Sequence, residues 1–380
     1  MNDAAPQLQF TDSEGQQQSA RWRSLAGHLP PERVQCVGDE LNADVALRLA
    51  REGRGLLWCG DYQNARHLLQ AMGRRLEAST QVRVRGDLSL KDAFLAQRRA
   101  QALRAQVLGQ LLLPFDADHS VPLPRAPDLR AAGLQGHGRV REHYVASMRE
   151  LLGLVGAHEW RKKGVPIEAL KARIHPHHGV FSPVRGEYVD LVAQAPLPPA
   201  AQRDGAFDIG TGTGVLAAVL AQRGLRVLAT ELDSRALACA EDNLRRLGLA
   251  KSVTLERVDL FPAGRAGLVL CNPPWVPAEP SSPLEAAVYD PDSRMLRGYL
   301  AGLAAHLAPG GEGWLILSDL AEHLGLRSRA ELLGWMQDAG LRVAGRIDTP
   351  PRHGRAADAS DPLHAARAAE LTSLWRLVPR

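Results

Sequence analysis

Beyond residue 174 the chain alternates short apolar segments with amphipathic ones, and this alternation restricts the possible fold more than any other feature of the sequence. The segments "AFDIG", "RVLATEL", "VTLERVDL" and "GLVLCN" are predicted strands, and "GVLAAVLAQRG" and "SRALACAEDNLRRLG" are predicted helices. Strands that alternate with helices of this length are typical of a mostly parallel sheet covered by helices on both faces. We therefore predict an α/β fold with a Rossmann-like, doubly wound sheet.

The first part of the chain is predicted to form a separate domain. A chain of 380 residues is longer than a typical domain with one hydrophobic core. We therefore expect a smaller N-terminal α/β and helical domain at 1–150 and a second domain at 151–380. "RVQCVG" and "GLLWCG" are predicted strands, and each is followed by a predicted helix. No glycine-rich turn joins either strand to its helix. This βαβα unit is interpreted as a substrate-recognition domain or as a degenerate copy of the second domain. A long helix is expected from Lys91 to Leu113.

Composition sets weaker limits on function. The net charge of +4 and the pI near 9.0 permit a polyanionic partner without requiring one. The four cysteines form no CxxC pair, which argues against a disulfide framework or a zinc ribbon and fits a reducing cytoplasm. No apolar run approaches the roughly 18 residues of a membrane span. The cluster of His175, His177 and His178 lacks neighbouring ligands that would complete a metal site, so we expect no metal.

The segment "DIGTGTG" is the first candidate for a ligand site. It places Gly210, Gly212 and Gly214 between a predicted strand and a predicted helix, with Asp208 just before them. Glycines suit a turn that needs positive φ and close approach of a ligand to the backbone. The spacing is G-x-G-x-G, unlike the G-x-G-x-x-G of dinucleotide binders. A carboxylate here would repel a pyrophosphate but suits the cationic S-adenosylmethionine.

Two further acidic residues, Glu231 and Asp259, are predicted to end the second and third strands. Glu231 is placed to accept hydrogen bonds from ribose hydroxyls, and Asp259 to meet an adenine amino group; either residue could also be an ordinary polar residue at a strand end. Phe181 and Arg185 either line the predicted cofactor pocket or only precede a helix. The predicted cofactor site contains Asp208, Gly210, Thr211, Gly212, Gly214, Glu231, Asp259, Leu260, Asn272, Phe181 and Arg185.

The segment "NPPW", which ends the fourth predicted strand, is the candidate catalytic motif: Asn272, Pro273, Pro274 and Trp275. Two prolines terminate a strand, but their position after a cofactor-type turn favours a catalytic role. The lone pair of a base amine or an amide is delocalised. Acceptors on Asn272 and on the Pro273 carbonyl would draw such a nitrogen toward tetrahedral geometry, and Trp275 offers a flat face to a planar target.

With these motifs in place, residues from about Gly179 to Trp275 resemble a class I S-adenosylmethionine-dependent methyltransferase of the methyltransferase small domain group. That group includes rRNA guanine-N2 and release-factor glutamine methyltransferases. The resemblance implies a seven-stranded sheet with a final antiparallel strand, for which "TSLWRLV" is the candidate. Trp275 departs from the commoner Tyr or Phe of the family, which predicts a pocket of different shape.

The acceptor is left open by the sequence. The leading hypothesis is methylation of an exocyclic base amine in rRNA or tRNA, and the alternative is a protein glutamine, because both place the same demand on Asn272. A nicotinamide oxidoreductase and a non-catalytic nucleic-acid-binding protein are the rivals from other classes. The arginines at 98, 99 and 104 either contact RNA or form a solvated face, and the insertion at 350–370 is either a substrate loop or a surface excursion.

Overall fold

The computed structural model describes residues 6–12, 14–80, 88–183, 186–280, 282, 284–352, 358–359 and 361–380. The chain divides into two compact units, the first containing Met1–Arg85 and Leu95–Glu159, the second Gly86–Phe94 and Trp160–Arg380. The expected boundary at residue 150 falls within a continuous helix, Met148–Lys163. In the described ranges no helix is both long and apolar enough to cross a membrane.

The first unit combines short strands with helices, and two of the helices continue into the second unit. The strands are β1 Gln7–Thr11, β2 Gln17–Trp22, β3 Arg33–Val37, β4 Arg54–Trp58, β5 Leu111–Phe115 and β6 Tyr144–Ser147. The helices are α1 Ala43–Arg51, α2 Tyr62–Thr80, α3 Leu90–Leu108, α4 Arg130–His137 and α5 Met148–Lys163.

These strands close into a barrel in the order β1-β2-β6-β5-β4-β3. The barrel closes because β1 pairs with β2 along its length and with β3 through Thr11 and Gln35. Its apolar core includes Trp58, Met72 and Phe115, all at most 2% exposed. The predicted βαβα unit is present as β3-α1-β4-α2, within a closed barrel. Its interpretation as a substrate-recognition domain or a degenerate copy of the second domain stays a prediction.

One local expectation in the first unit is wrong. The helix expected from Lys91 to Leu113 ends at Leu108, and Leu111–Phe115 is β5. The apolar run at 111–113 is compatible with a helix and with a buried strand. In the structure it pairs in parallel with β4 and is therefore a strand.

The second unit contains the remaining elements, which begin with a small hairpin. Its strands are β7 Val165–Ile167, β8 Ala172–Ile174, β9 Ala206–Ile209, β10 Val227–Thr230, β11 Val253–Glu256, β12 Ala266–Cys271, β13 Leu307–Ser318, β14 Leu341–Thr349 and β15 Thr372–Pro379. Its helices are α6 Glu187–Gln194, α7 Pro199–Asp204, α8 Val215–Gln222, α9 Ser234–Arg246, α10 Arg294–His306, α11 Leu320–His323, α12 Arg329–Asp338 and α13 His364–Ala369.

Seven strands of the second unit, within its described part, form one sheet in the order β11-β10-β9-β12-β13-β15-β14. The strands from β11 to β13 are parallel, and β15 lies antiparallel between β13 and β14. The predicted doubly wound sheet and its final antiparallel strand "TSLWRLV" are both confirmed. Strand order reverses between β9 and β12, which is where such sheets bind ligands.

Helices cover both faces of this sheet. On one face, α6 and α8 contribute Val192 and Leu220 to a core that also includes Leu270. On the other face, α10 and α12 contribute Leu300 and Leu332 to a second core. The central strands β9 and β12 are therefore buried on both sides, and their carboxyl ends are the natural place for polar groups to reach the surface.

Candidate functional site

The glycine turn joins β9 to α8 at the carboxyl edge of the sheet. Gly210, Gly212 and Gly214 have φ of 71°, 56° and 80°, which L-residues rarely adopt. The backbone N–H groups of Gly210 and Thr211 donate to the Thr230 carbonyl at 3.0 and 2.9 Å. A Cβ on Gly212 would meet no atom within 4 Å. The turn is thus fixed to β10, while its middle residue faces open space that a ligand can occupy.

Asp208 lies in β9 beneath this turn and is 1% exposed. Its Oδ2 accepts a hydrogen bond of 2.6 Å from the Thr211 hydroxyl. Burial raises the pKa of Asp208 to about 6, and the negative charge of Glu231 adds to the rise, while the bond from Thr211 and the Ala217 backbone N–H oppose it. A carboxylate in this position supplies negative potential at the base of the turn.

Glu231 directly follows β10 and links two backbone segments. Its Oε2 accepts from the Gly212 N–H at 3.0 Å, and its Oε1 accepts from the Asp233 N–H at 3.0 Å. Each carboxylate oxygen has a second lone pair, and the residue is partly exposed. The carboxylate therefore lies across the mouth of the glycine turn, where it can still accept hydrogen bonds from a ligand's hydroxyl groups.

Asp259 does not end a strand, because β11 ends at Glu256. Its carboxylate is exposed and forms an ion pair with Arg294. Its neighbour Leu260 has a positive φ of 62°, and the Leu260 carbonyl accepts from the Thr230 hydroxyl at 2.6 Å. The expectation that Asp259 ends the third strand is wrong, and a hydrogen bond to an adenine amine would have to share the carboxylate with Arg294.

The segment from His175 to Phe181 runs along α9. The His175 N–H donates to Asn243 Oδ1 at 2.7 Å, and His177 Nε2 lies 3.3 Å from Asp242 Oδ2. These contacts give two of the clustered histidines structural partners. Phe181 is half-buried at the end of this segment, and Arg185 lies outside the described residues.

The "NPPW" motif follows β12 on the other side of the switch point. Asn272 is half-buried, Pro273 is buried, and the Trp275 indole Nε1–H donates to Asn272 Oδ1 at 2.8 Å. A Tyr or Phe ring has no such N–H. The bond identifies Oδ1 as the acceptor of the side-chain amide and fixes its direction, while the second lone pair of the oxygen is left for a substrate N–H.

Trp275 lies where several apolar groups meet. Its ring packs edge-on against Tyr188 of α6, with centroids 6.4 Å apart at 89°. It also packs against the cluster that contains Phe94, Val276 and Leu324. The aromatic residue of the motif is thus held from several sides, which limits its freedom to turn away from Asn272.

Sequence reasoning missed Met295, which borders the turn, and Asp290, which holds the start of the helix that contains Met295. The Met295 methyl lies 2.4 Å from where a Cβ on Gly210 would be, so a side chain at this position would displace the end of the Met295 side chain. Asp290, at 7% exposure, caps α10 by accepting from the N–H groups of Met295 and Leu296 at 2.9 and 3.3 Å. The Asp-Pro pair before a helical pattern was an available signal for this cap.

The arrangement fits a cofactor with a ribose and a cationic amino-acid moiety. Gly212 leaves open space above the turn, Glu231 offers carboxylate lone pairs for hydroxyl groups, and Asp208 offers negative charge. The Asp208 carboxylate at the turn would disfavour a pyrophosphate. Asn272 would then face a second molecule from the other side of the switch point.

Comparisons with known proteins agree with this geometry. Residues 171–324 match the family model "Methyltransferase small domain", which confirms the predicted resemblance. The chain is 39% identical over 111 residues to a release factor glutamine methyltransferase of Cereibacter sphaeroides. It is 35% identical over 119 residues to a ribosomal protein L11 methyltransferase of Rhizobium rhizogenes. It is 29% identical over 190 residues to a tRNA1(Val) (adenine(37)-N6)-methyltransferase of Shewanella loihica.

The extent of these matches differs. The first two cover 28% and 30% of this chain and 36% and 35% of the relatives' lengths. The third covers 45% of this chain and 74% of the relative. The chain therefore spans only about a third of the first two relatives, and the names of the three relatives include both protein and RNA acceptors.

The raised pKa of Asp208 predicts a pH-dependent cost to folding. Between its ordinary value of 3.8 and the folded value of about 6, the unfolded chain releases this proton while the folded chain retains it. Stability therefore falls as pH rises through this window, by about 3 kcal/mol in total. Asp208→Asn keeps an acceptor for Thr211 but cannot ionise, so it should gain stability relative to the parent as pH rises from about 4 to 7.

Thermal unfolding of parent and variant at several pH values would measure this gain. The exposed carboxylate Asp338 provides the control, since Asp338→Asn makes the same chemical change at the protein surface. A constant offset between parent and Asp208→Asn at every pH would contradict the shifted pKa.

Proposed function

We propose that this chain, whose residues 171–324 form a methyltransferase small domain of the class I S-adenosylmethionine-dependent type, methylates an exocyclic base amine in RNA. The observation that carries the proposal is the pairing of β9 with β12. It brings the glycine turn after Ile209 beside Asn272, which follows Cys271. A cofactor on the turn and a planar nitrogen at Asn272 would thus share one crevice.

S-adenosylmethionine, when bound, supplies an electrophilic methyl group. The chain's own contribution is alignment and hydrogen bonding. The second lone pair of Asn272 Oδ1 and the Pro273 carbonyl would accept the two N–H groups of the target, so that its nitrogen lone pair turns toward the cofactor. The proton becomes acidic as transfer proceeds, so no prior general base is required. Acceptors fixed in advance are the main source of rate enhancement in such a site.

RNA is favoured over protein as acceptor by two weaker observations. Of the three matches described above, the one to a tRNA adenine-N6 methyltransferase covers the largest share of the relative, 74%. The chain is basic, with 46 Lys and Arg residues against 42 Asp and Glu, and phosphate contacts from such residues supply affinity for RNA. Protein glutamine remains the second candidate, on the strength of the higher identity to a release factor glutamine methyltransferase.

The cofactor assignment is tested by calorimetric titration of the purified protein. We expect S-adenosylmethionine and its demethylated product to bind, and NAD not to bind, because Asp208 presents negative charge where a dinucleotide places its phosphates. Tight NAD binding would move the oxidoreductase interpretation to first place.

Asn272→Ala and Glu231→Ala should separate transfer from cofactor binding. Loss of the preorganised acceptor on Asn272 should slow transfer by about a hundredfold or more, with cofactor affinity nearly intact. Glu231→Ala should instead weaken cofactor binding first, since it removes a ligand acceptor and a contact to the Gly212 N–H. Transfer at the parental rate by Asn272→Ala would refute the assigned role of the motif.

Trp275→Phe tests the indole hydrogen bond. The variant keeps an aromatic face but removes the donor to Asn272 Oδ1, so the amide loses its fixed orientation. One hydrogen bond of about 1 kcal/mol corresponds to a roughly fivefold fall in kcat, with little change in KM for the acceptor. A rise in KM with kcat unchanged would indicate that the ring serves only to bind substrate.

The acceptor class is tested on extract from cells that lack the gene, incubated with enzyme and methyl-labelled cofactor. Label released by ribonuclease and recovered in a methylated guanine or adenine nucleoside is the expected outcome. Label that survives ribonuclease and is released by protease would establish the glutamine alternative. Single-stranded or loop RNA should be the better substrate, because a paired base must first be flipped out.

A further inference from the structure

Arg327 is a buried cation directly beside the "NPPW" motif. It precedes α12, whose N-cap Ser328 forms a capping box with Glu331. The whole residue is 3% exposed. Its Nη1 lies 3.5 Å from the Trp275 backbone carbonyl, at the outer limit of a hydrogen bond. The guanidinium therefore reaches from the start of α12 to the residue that ends the motif.

The other side of this guanidinium is unsatisfied. Both Nε and Nη2 are buried, and among the described residues neither has a hydrogen-bond partner. An unpaired buried donor is costly, and an unpaired buried charge is more costly still. Buried arginines are ordinarily paired with an anion, so this one lacks the partner that its position demands.

The nearby carboxylates do not supply that partner, because each is engaged elsewhere. Glu322 accepts from Arg329 Nε with both oxygens, at 2.8 and 2.9 Å. Glu331 accepts from the Ser328 N–H at 2.7 Å. Asp290 accepts from the backbone at the start of α10. These carboxylates give Arg327 favourable long-range electrostatics, but they leave its two donors free.

The two free donors form the fork of the guanidinium. The Nε–H and Nη2–H bonds point in parallel, in the geometry that binds two oxygens of a phosphate or a carboxylate at once. The third nitrogen is directed to the Trp275 carbonyl. The Nε and Nη2 side of Arg327 therefore has the geometry to bind an anion through two oxygens, close to the proposed site of the methyl acceptor.

We propose that Arg327 binds a phosphate group of the RNA acceptor next to the methylated nucleotide. This inference rests on the proposed function and names the group by which the same site holds its substrate. A nucleotide carries a phosphate close to its base, whereas a glutamine side chain carries no charge. Because the donors are buried, the phosphate reaches them only when neighbouring segments shift. Among the described residues, the segment after Trp275 is held by hydrogen bonds from the Val276 N–H to the Val288 carbonyl at 3.2 Å and from the Asp290 N–H to the Val276 carbonyl at 2.9 Å, so these contacts must separate when the phosphate binds.

The test compares Arg327→Gln with Arg342→Gln. Arg342 is an exposed residue of β14 at the far edge of the sheet, so its loss removes equal charge away from the motif. The probe is a fluorescent single-stranded oligoribonucleotide of about 15 mixed-sequence nucleotides, titrated with S-adenosylhomocysteine present over about 50 to 300 mM NaCl. Arg327→Gln should weaken binding about tenfold and reduce the salt slope by about 0.7, the value for one phosphate.

A second measurement guards against a merely structural role. Removal of an uncompensated buried charge should raise the unfolding temperature of the free protein, so Arg327→Met should melt a few degrees higher than the parent. If Arg327 only positions Trp275, its substitution should lower stability and kcat while the affinity for RNA and the salt slope stay unchanged. That result would overturn the proposal. Cofactor affinity, measured by calorimetry, should not change.

The failure of this inference can be told from failure of the proposed function. If the parent binds and methylates RNA, and Arg327→Gln binds it with the parental affinity and salt slope, only the phosphate site is refuted. If the parent binds no RNA and labels protein instead, the RNA acceptor and the phosphate site are both refuted, while the cofactor assignment stands.

Discussion

The register of three adjacent strands is the constraint on which the rest of the site depends. Ile209 of β9 pairs with Thr230 of β10 on one side and with Cys271 of β12 on the other. The next residue along each strand is therefore at the same level of the sheet. These residues are Gly210, Glu231 and Asn272. A slip of one strand by one residue would turn its side chains to the other face and separate these groups.

This register also explains why the site can be both polar and rigid. The central strands are buried on both faces, so polar groups can be hydrated only beyond the strand ends. Asp208 is the exception, since it lies within β9, and burial raises its pKa accordingly. The Thr211 hydroxyl compensates part of that burial. The Thr211 hydroxyl thus lowers the cost of a carboxylate buried beneath the glycine turn.

Much of the second unit was predictable because its signals are local. Strand and helix periods, the glycine turn and the "NPPW" motif each lie within a few residues of sequence. Asp259 was misplaced because the pattern "VTLERVDL" continues beyond the strand, whereas pairing stops at Glu256, opposite Thr230, where β10 ends. That limit is set by a neighbouring strand and cannot be read from the segment itself.

The first unit was less predictable for a similar reason. Its first two strands are short and largely polar, and they acquire their role only when β1 pairs with β3 and closes the barrel. Arg327 escaped notice because a solvated arginine and a buried one look the same in sequence. The capping box that follows it, "SRAE", locates the start of the helix but does not indicate whether the Arg327 side chain is buried.

Selectivity in such a site must come from outside the motif that performs the transfer. Asn272 and Pro273 offer two acceptors, and a base amine and a glutamine amide satisfy them equally, so these residues cannot choose between RNA and protein. The two acceptors differ in what surrounds the target nitrogen: one carries a phosphate and the other a neutral peptide. A buried guanidinium beside Trp275 distinguishes them by charge, because an anion compensates its positive charge as well as its two free donors. The choice of acceptor is then an electrostatic property of the segment before α12, independent of the hydrogen bonds that activate the nitrogen.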